Sequence, residues 1–418
     1  MNEHQVAMGE STCAARTYAA PVGMGEGGSG TALLEASELS QIALERTSSA
    51  RDAILLMGEL AEKYGYYSAE YDPVALGSLS FVLGEGGEAL TVVDPREAWM
   101  FHILPDPTGT SAVWAAQLVP PNHVTVCANT FVIREIPEHS QDGLGNKDPK
   151  ASFLYSANMH AVAEHQGWWK RSDGHPLNFL ETFAPERYRP DYSNRRVWRV
   201  FTLLGASAVA GTLPDNADGY ATEYPFSVPV DAHRKVSARA LMDIQRDHYA
   251  GSRFDLETGL AAGPWGDPNR YDLSTETGGD GANLTLADLM QGEFARSIGM
   301  FRTSHSFVAV SRRPELAPVE LALVWLAQYN PDVSTYTPIY VGADHLPPSW
   351  IRGSFHVSDS ISFHSSSFIH CLCLCVTMIY CLLLSCLPIA PAFFIEILPL
   401  VCLLELLSGW QLCISLLS

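Results

Sequence analysis

The stretch ALTVVDPREAWMFHILPDPTGTSAVWAAQLVPPNHVTVCANTFVIREI, residues 89–136, decides the class of this fold. Within it, Ala89–Val93, Ala98–Leu104, Ala112–Val119 and Val124–Ala128 are short and rich in Val, Leu, Phe and Trp, and they are separated by DP, PDPTGTS and PPNH. Branched and aromatic side chains suit a pleated surface, and Pro, Gly and Asp turn the chain back on itself. The stretch therefore reads as consecutive antiparallel strands. Ser80–Leu83, set off by GEGGE, reads as one more.

N-terminal to these strands, ALLEASELSQIALERTSSARDAILLMGELAEKYGY carries apolar residues at helical spacing, Leu39, Ile42 and Ala43, then Ile54, Met57, Leu60 and Ala61. Two consecutive helices follow, the second capped by Ser49 with Asp52 three residues on and ended by Gly65. Before them, Val6–Gly9 reads as a strand already under way, with Glu10–Cys13 at its exit. Helices followed by a run of strands indicate a layered α+β domain and not alternating βαβ units. Beyond residue 140 the text is irregular, with helical pieces near 152–165, 234–250 and 285–292 and strands at Ser306–Ser311, Leu321–Trp325 and Ile339–Val341. No repeat or low-complexity linker divides residues 1–355, so they are expected to form one domain.

A formal net charge of -20 excludes a nucleic-acid footprint, which needs clustered Lys and Arg. Cys13 and Cys127 are the sole cysteines before residue 370, so the body has no disulfide framework and suits a reducing, cytoplasmic setting. From residue 356 the text turns to Ser, Phe, Leu, Cys and Ile, with no Lys or Arg after Arg352. Ile369–Ile389 is an uncharged run of 21 residues, long enough for a membrane anchor. Against that, Glu396 and Glu405 interrupt the second apolar run, and basic anchors are lacking. Pyrimidine-rich codons encode these residue types, so a translated non-coding segment reads the same way. Residues 356–418 are expected to stand outside the domain, with membrane attachment only if the anchor is genuine.

Gly25–Gly30 matches GxGxxG but follows no convincing strand and opens no βαβ unit, so a loop is the better reading than a nucleotide cradle. His160 and His165, five apart, do not share one helix face. No metal or other cofactor is expected. Asn129 stands at the end of an apolar strand, where its amide either aims a donor into a pocket or satisfies a turn.

Taken in order, NEHQVAMGESTC, DPREAWMFHI, SAVWAAQLVPPNHVTVCANTFVIREI, FDLETGLAAGPWGDPNRY, SIGMFRTSHSFVAV and STYTPIYVG resemble the cysteine dipeptidases of the N-terminal nucleophile (Ntn) hydrolase superfamily, more distantly the secernins. The resemblance covers residues 1 to about 353 and none of 356–418. It implies an αββα sandwich and hydrolysis of dipeptides through an acyl-enzyme on an N-terminal cysteine whose own α-amine is the base. It also implies that Asn129 is an oxyanion-hole donor, that Arg270 supports the nucleophile or leaving group, and that Ser11 and Thr12 occupy a substrate-binding loop supplying a second donor. Arg270 reads equally as a structural ion pair with Asp267 or Asp272. The nucleophile strand is expected upstream of NEHQVAMGE, so the chain is expected to begin within the sandwich and to be inactive alone. A noncatalytic, secernin-like or membrane-tethered binding protein is the alternative.

Overall fold

The computed structural model describes residues 1–68, 86–137, 150–184, 193–205, 224–230, 236–268, 296–301, 303–312, 316, 318–346 and 413–416. The expected strand at 80–83, the helical piece at 285–292, Arg270, Asp272 and the run 369–389 lie outside the described residues.

The decisive stretch folds as a meander. Strands β1 (Ala7–Cys13), β2 (Gly87–Val93), β3 (Ala98–Pro105), β4 (Ala112–Leu118) and β7 (Phe153–Tyr155) form one antiparallel sheet in the order β1-β2-β3-β4-β7. The exit expected at Glu10 is a correction: β1 stays extended through Cys13 and pairs with β2 over its whole length, Ala7 opposite Val93 and Cys13 opposite Gly87. Main-chain pairing with β2 overrides the weak strand propensity of Gly, Glu and Ser. At the β2–β3 turn, Asp94 Oδ1 accepts from the N–H groups of Arg96 and Glu97, while Oδ2 accepts from the N–H of Ala50 at 2.8 Å. One carboxylate thus closes the hairpin and caps the helix that covers it.

That helix is α2 (Ala50–Tyr64), which follows α1 (Ala36–Arg46). Ser49 Oγ accepts from the Asp52 N–H at 3.1 Å, and Gly65 ends the helix at φ +77, a conformation that favours glycine. Side chains alternate across the sheet. Trp99, Phe101, Ile103 and Trp114 pack beneath α1 and α2, with Leu39, Ile54 and Met57 among their partners. Met100, Leu104, Val113 and Ala115 face the other way, into a second core.

The second core is closed by β5 (His123–Cys127), α4 (Phe179–Phe183) and α5 (Arg195–Leu204), with Val124, Val126, Phe179, Val197 and Phe201 fully buried. The helix α3 (Met159–His165) adds Met159 and Ala163. Strands β6 (Glu135–Ile136) and β8 (Leu177–Asn178) form a small ladder, and β9 (Ser227–Pro229) pairs with one edge of β5. At the other edge lies β13 (Cys413–Leu416), from the apolar C-terminal stretch expected to stand apart. An edge strand offers unpaired N–H and C=O groups, which is what main-chain pairing of this kind uses.

A third sheet, β10 (His305–Ser311), β11 (Ala322–Gln328) and β12 (Thr337–Tyr340), packs against α6 (Ala238–Ile244). Polar side chains hold it. Arg246 donates to the carbonyls of Pro331 and Ser334, and Tyr336 Oη donates to Gln245 Oε1. His248 sits between Glu257 Oε1 and Asp332 Oδ2, each at 3.2 Å. Burial alone lowers its pKa, but the two carboxylates outweigh burial and leave it raised. Arg199 clamps Asp247 through two bonds of 2.8 and 2.6 Å, joining α5 to this region. Among the described residues no helix is long and apolar enough to cross a membrane.

α2 packs tightly on the sheet at Gly58, where an added Cβ would stand 2.4 Å from Trp114 Cε2. Gly58→Ala gains up to about 1 kcal/mol of helix propensity, but overpacking a buried tryptophan costs about 1–3 kcal/mol. Urea unfolding is expected to show a net loss of about 1–2 kcal/mol. An unchanged or raised stability would mean that Trp114 moves aside freely.

Candidate functional site

The ends of β1 and β5 meet where the two cores adjoin, and Asn129 is the hinge of that meeting. It lies two residues past β5 at φ +60, a left-handed conformation that Asn tolerates better than most residues. Its N–H donates to Ser11 Oγ at 2.9 Å, and its Nδ2 donates to the Thr12 carbonyl at 2.8 Å. Arg196 on α5 donates from Nη2 to Asn129 Oδ1 at 2.9 Å and to the Ala128 carbonyl at 3.3 Å. With Oδ1 pinned by a guanidinium, the amide has one orientation and Nδ2 must face β1. Asn129 is 1% exposed.

Three of the four expected site residues, Asn129, Ser11 and Thr12, therefore come together, while Arg270 lies outside the described residues. Ser11 and Thr12 are not in a loop, which is a correction. They belong to β1, opposite Ala89 and Glu88. Consecutive strand residues face opposite ways, so the Ser11 side chain meets Asn129 while the Thr12 hydroxyl donates to Glu10 Oε1 at 2.9 Å. Both approach Asn129 as acceptors, Ser11 through its hydroxyl oxygen and Thr12 through its main chain.

The turn after Asn129 is held from beneath by His102 on β3. Its Nε2 accepts the N–H groups of Val132 at 2.9 Å and Ile133 at 3.3 Å. The ring proton is thereby assigned to Nδ1, which has no hydrogen-bond partner among the described residues. Phe131 and Phe179 flank the imidazole with ring centroids 4.9 and 5.9 Å away. Burial in this aromatic setting pushes the His102 pKa down to about 3, so the ring is neutral and acts as an acceptor.

Two thiols complete the junction. Cys13 and Cys127 are fully buried, with sulfurs 3.7 Å apart, and burial pushes the Cys13 thiol well above its ordinary value. Neither lies at a chain terminus. The remaining motifs stand elsewhere. Glu26–Gly28 forms a short 3-10 turn near an exposed Val22 and Met24, and the His160 ring packs against Tyr155 and Trp169. Among the described residues no group of three or more His, Cys, Asp or Glu is placed to hold a metal.

Arg196 and His102 escaped the sequence reading. The signal for Arg196 was present: RRVWRVFTLL carries Val197, Trp198, Val200, Phe201 and Leu204 at helical spacing, with three arginines inside it. Arginines set among the apolar residues of a buried helix are there to meet buried acceptors. For His102, within the strand AWMFHILP, no such signal exists.

Compared with known proteins, the chain matches the sequence model of peptidase family C69 over residues 1–375. A protein named probable dipeptidase from Salmonella dublin is 22% identical over 318 residues, covering 75% of this chain and 57% of that relative. The chain thus spans well under two thirds of the relative's length.

Two outcomes follow from the junction's geometry. Arg196→Met should lower unfolding free energy by about 2–3 kcal/mol, because Asn129 Oδ1 and the Ala128 carbonyl lose a charged donor inside the protein. Arg196→Lys should not restore it, since a single ammonium does not reproduce the planar fork. Chemical denaturation of both variants measures this, and a Lys variant of full stability would refute the directional role.

The second outcome concerns His102. Unfolded, the imidazole protonates near 6.5; folded, only near 3. The depressed folded value makes its contribution complete above 6.5 and progressively lost as pH falls toward 3. Between about pH 7 and about pH 4 this group should remove on the order of 3 kcal/mol. His102→Gln keeps an acceptor without the proton uptake, and its stability should fall less over that interval. Equal acid sensitivity in the two proteins would dismiss His102 as the titrating group.

Proposed function

The chain belongs to peptidase family C69, and from that premise we propose that it carries the fold and oxyanion-binding half of a cysteine dipeptidase of the Ntn-hydrolase type. Two features support an Ntn-like sandwich. The β1–β4 sheet is covered by α1 and α2 on one face, and its other face shares a core with β5, itself covered by α5. The substrates on this reading are dipeptides, the class named for the Salmonella dublin relative.

The observation that carries the reading is the fixed amide of Asn129. A catalytic donor must be oriented before charge appears on the substrate carbonyl, because reorientation during the reaction would cost part of the stabilisation. Arg196 supplies that orientation. The Nδ2 nitrogen carries two hydrogens, and one is committed to the Thr12 carbonyl. The second is the donor that the tetrahedral intermediate would engage, with the Ser11 hydroxyl alongside.

The chemistry divides into two half-reactions. A thiolate adds to the peptide carbonyl, the C–N bond breaks, and the departing amine takes a proton from the general acid–base; water then adds to the thioester and releases the acid. The acylating thiol in this scheme bears its own α-amine as base. Cys13 and Cys127 are internal and fully buried, so neither fits that role. In this proposal the thiol comes from outside the described residues, and Arg270 supports the nucleophile or its leaving group. On this reading the apolar stretch after residue 355 takes no part in the reaction.

The test is kinetic. In dipeptide-hydrolysing protein, Asn129→Ala should lower kcat by about 10²–10³ with much less effect on KM, the size typical of losing one oxyanion donor. Asn129→Asp should be at least as damaging, because a carboxylate repels the developing charge. A turn-forming role alone predicts something else: a lowered thermal midpoint with normal turnover in the folded fraction. Full kcat in Asn129→Ala would remove this residue from the reaction.

A further inference from the structure

Cys13 and Cys127 end two strands from different sheets, β1 and β5, and their sulfurs are 3.7 Å apart. We propose that this pair is a reversible dithiol, oxidised by peroxides to a disulfide that staples β1 to β5 at the Asn129 junction. It stands independently of the peptidase reading.

The placement argues for it. At 3.7 Å the two sulfurs are in van der Waals contact with nothing between them, and closure to about 2.05 Å asks for a shift of less than 2 Å shared between two side chains. Each thiol is held toward the other by its own carbonyl partner. Cys13 Sγ donates to the Ser11 carbonyl at 3.2 Å, and Cys127 Sγ donates to the Thr130 carbonyl at 3.1 Å. Opposite Cys13 on β2 stands Gly87, over which the Phe131 ring packs, so the two strand ends are held close by the core around them. A single structural cysteine in an apolar core is interchangeable with Ala or Val; two in contact across a sheet boundary have chemistry that neither has alone.

The step balances. One thiol, as thiolate, attacks a peroxide oxygen and becomes a sulfenic acid as the O–O bond breaks and water leaves. The neighbouring thiol then attacks that sulfur, forming the S–S bond and releasing a second water. Two sulfurs lose two electrons and two protons in total, and one hydrogen peroxide becomes two waters. Both thiols are fully buried and the Cys13 thiol is held protonated, so the reaction is slow in the native protein and its product resists external reductants.

The consequence falls on Asn129, which stands two residues after Cys127 and is joined by two hydrogen bonds to Ser11 and Thr12, the residues just before Cys13. A covalent link two residues from both Ser11 and Asn129 removes the openings by which β1 and β5 separate, so the Asn129 amide should exchange more slowly in the oxidised form.

The full chain, treated with hydrogen peroxide, alkylated under denaturing conditions and digested without reductant, should yield one cross-linked peptide joining Cys13 to Cys127. Dithiothreitol after unfolding should return both thiols. Hydrogen exchange read by mass spectrometry should slow at the Asn129 amide in the oxidised protein. Cys13→Ser and Cys127→Ser should each abolish the cross-linked peptide. The proposal is overturned if both thiols remain alkylatable after peroxide, if either is driven alone to sulfinic acid, or if either is found joined to a cysteine of 371–413. It is equally overturned if the cross-link forms and exchange at Asn129 is unchanged.

Discussion

The two hydrogen bonds from Asn129 to β1 are the constraint on which the rest of the site depends. They are formed by one residue's main-chain and side-chain nitrogens, so they fix both the position and the rotation of Asn129 relative to Ser11 and Thr12. The left-handed backbone at Asn129 is what allows this, since it turns the chain sharply off β5 and presents N–H and Nδ2 to the same neighbour. The conformation costs a non-glycine residue up to about 1–3 kcal/mol, and the bonds it donates to Ser11 and Thr12 and accepts from Arg196 offset that cost.

Alternation along β1 separates the chemistry into two faces. Ser11 and Cys13 look toward β5, Asn129 and Cys127, whereas Val6 belongs to the core beneath the helices and the Thr12 hydroxyl bonds Glu10. The same alternation in β3 puts Trp99, Phe101 and Ile103 on the helix side and Met100 and Leu104 on the β5 side, with His102 supporting the turn after Asn129. A one-residue slip of β1 against β2 would move Ser11 away from Asn129 and replace it with Thr12 or Glu10. Pairing over all seven residues of β1 makes such a slip costly.

The two buried histidines show how surroundings decide charge. His102 lies among Phe131 and Phe179, and burial leaves it neutral down to about 3. His248 is also buried, yet Asp332 and Glu257 raise its pKa, so its contribution is complete below the unfolded value and fades as pH rises through the folded one. Their opposite slopes favour stability at intermediate pH. The first supports the junction and the second ties the C-terminal sheet to α6.

What the sequence determined by itself were the elements governed by local rules. The strands within 89–128 and the helix pair with its Ser49 cap and Gly65 end follow from side-chain period and turn chemistry, and the structure places them within a residue or two of those expectations. Asn129 stands out by its place at the end of an apolar strand, whereas Ser11 and Thr12 stand out only through the resemblance of whole blocks. Tertiary structure alone decided that β1 continues through Cys13, since that extension rests on hydrogen bonds to a strand more than seventy residues away. It also decided that Arg196 orients Asn129 and that His102 carries the turn, because hydrogen bonds between residues 30 or 67 positions apart leave no periodic trace in the chain. Period and propensity record what a residue does to its neighbours in sequence; the site is made of contacts between residues that only folding brings together.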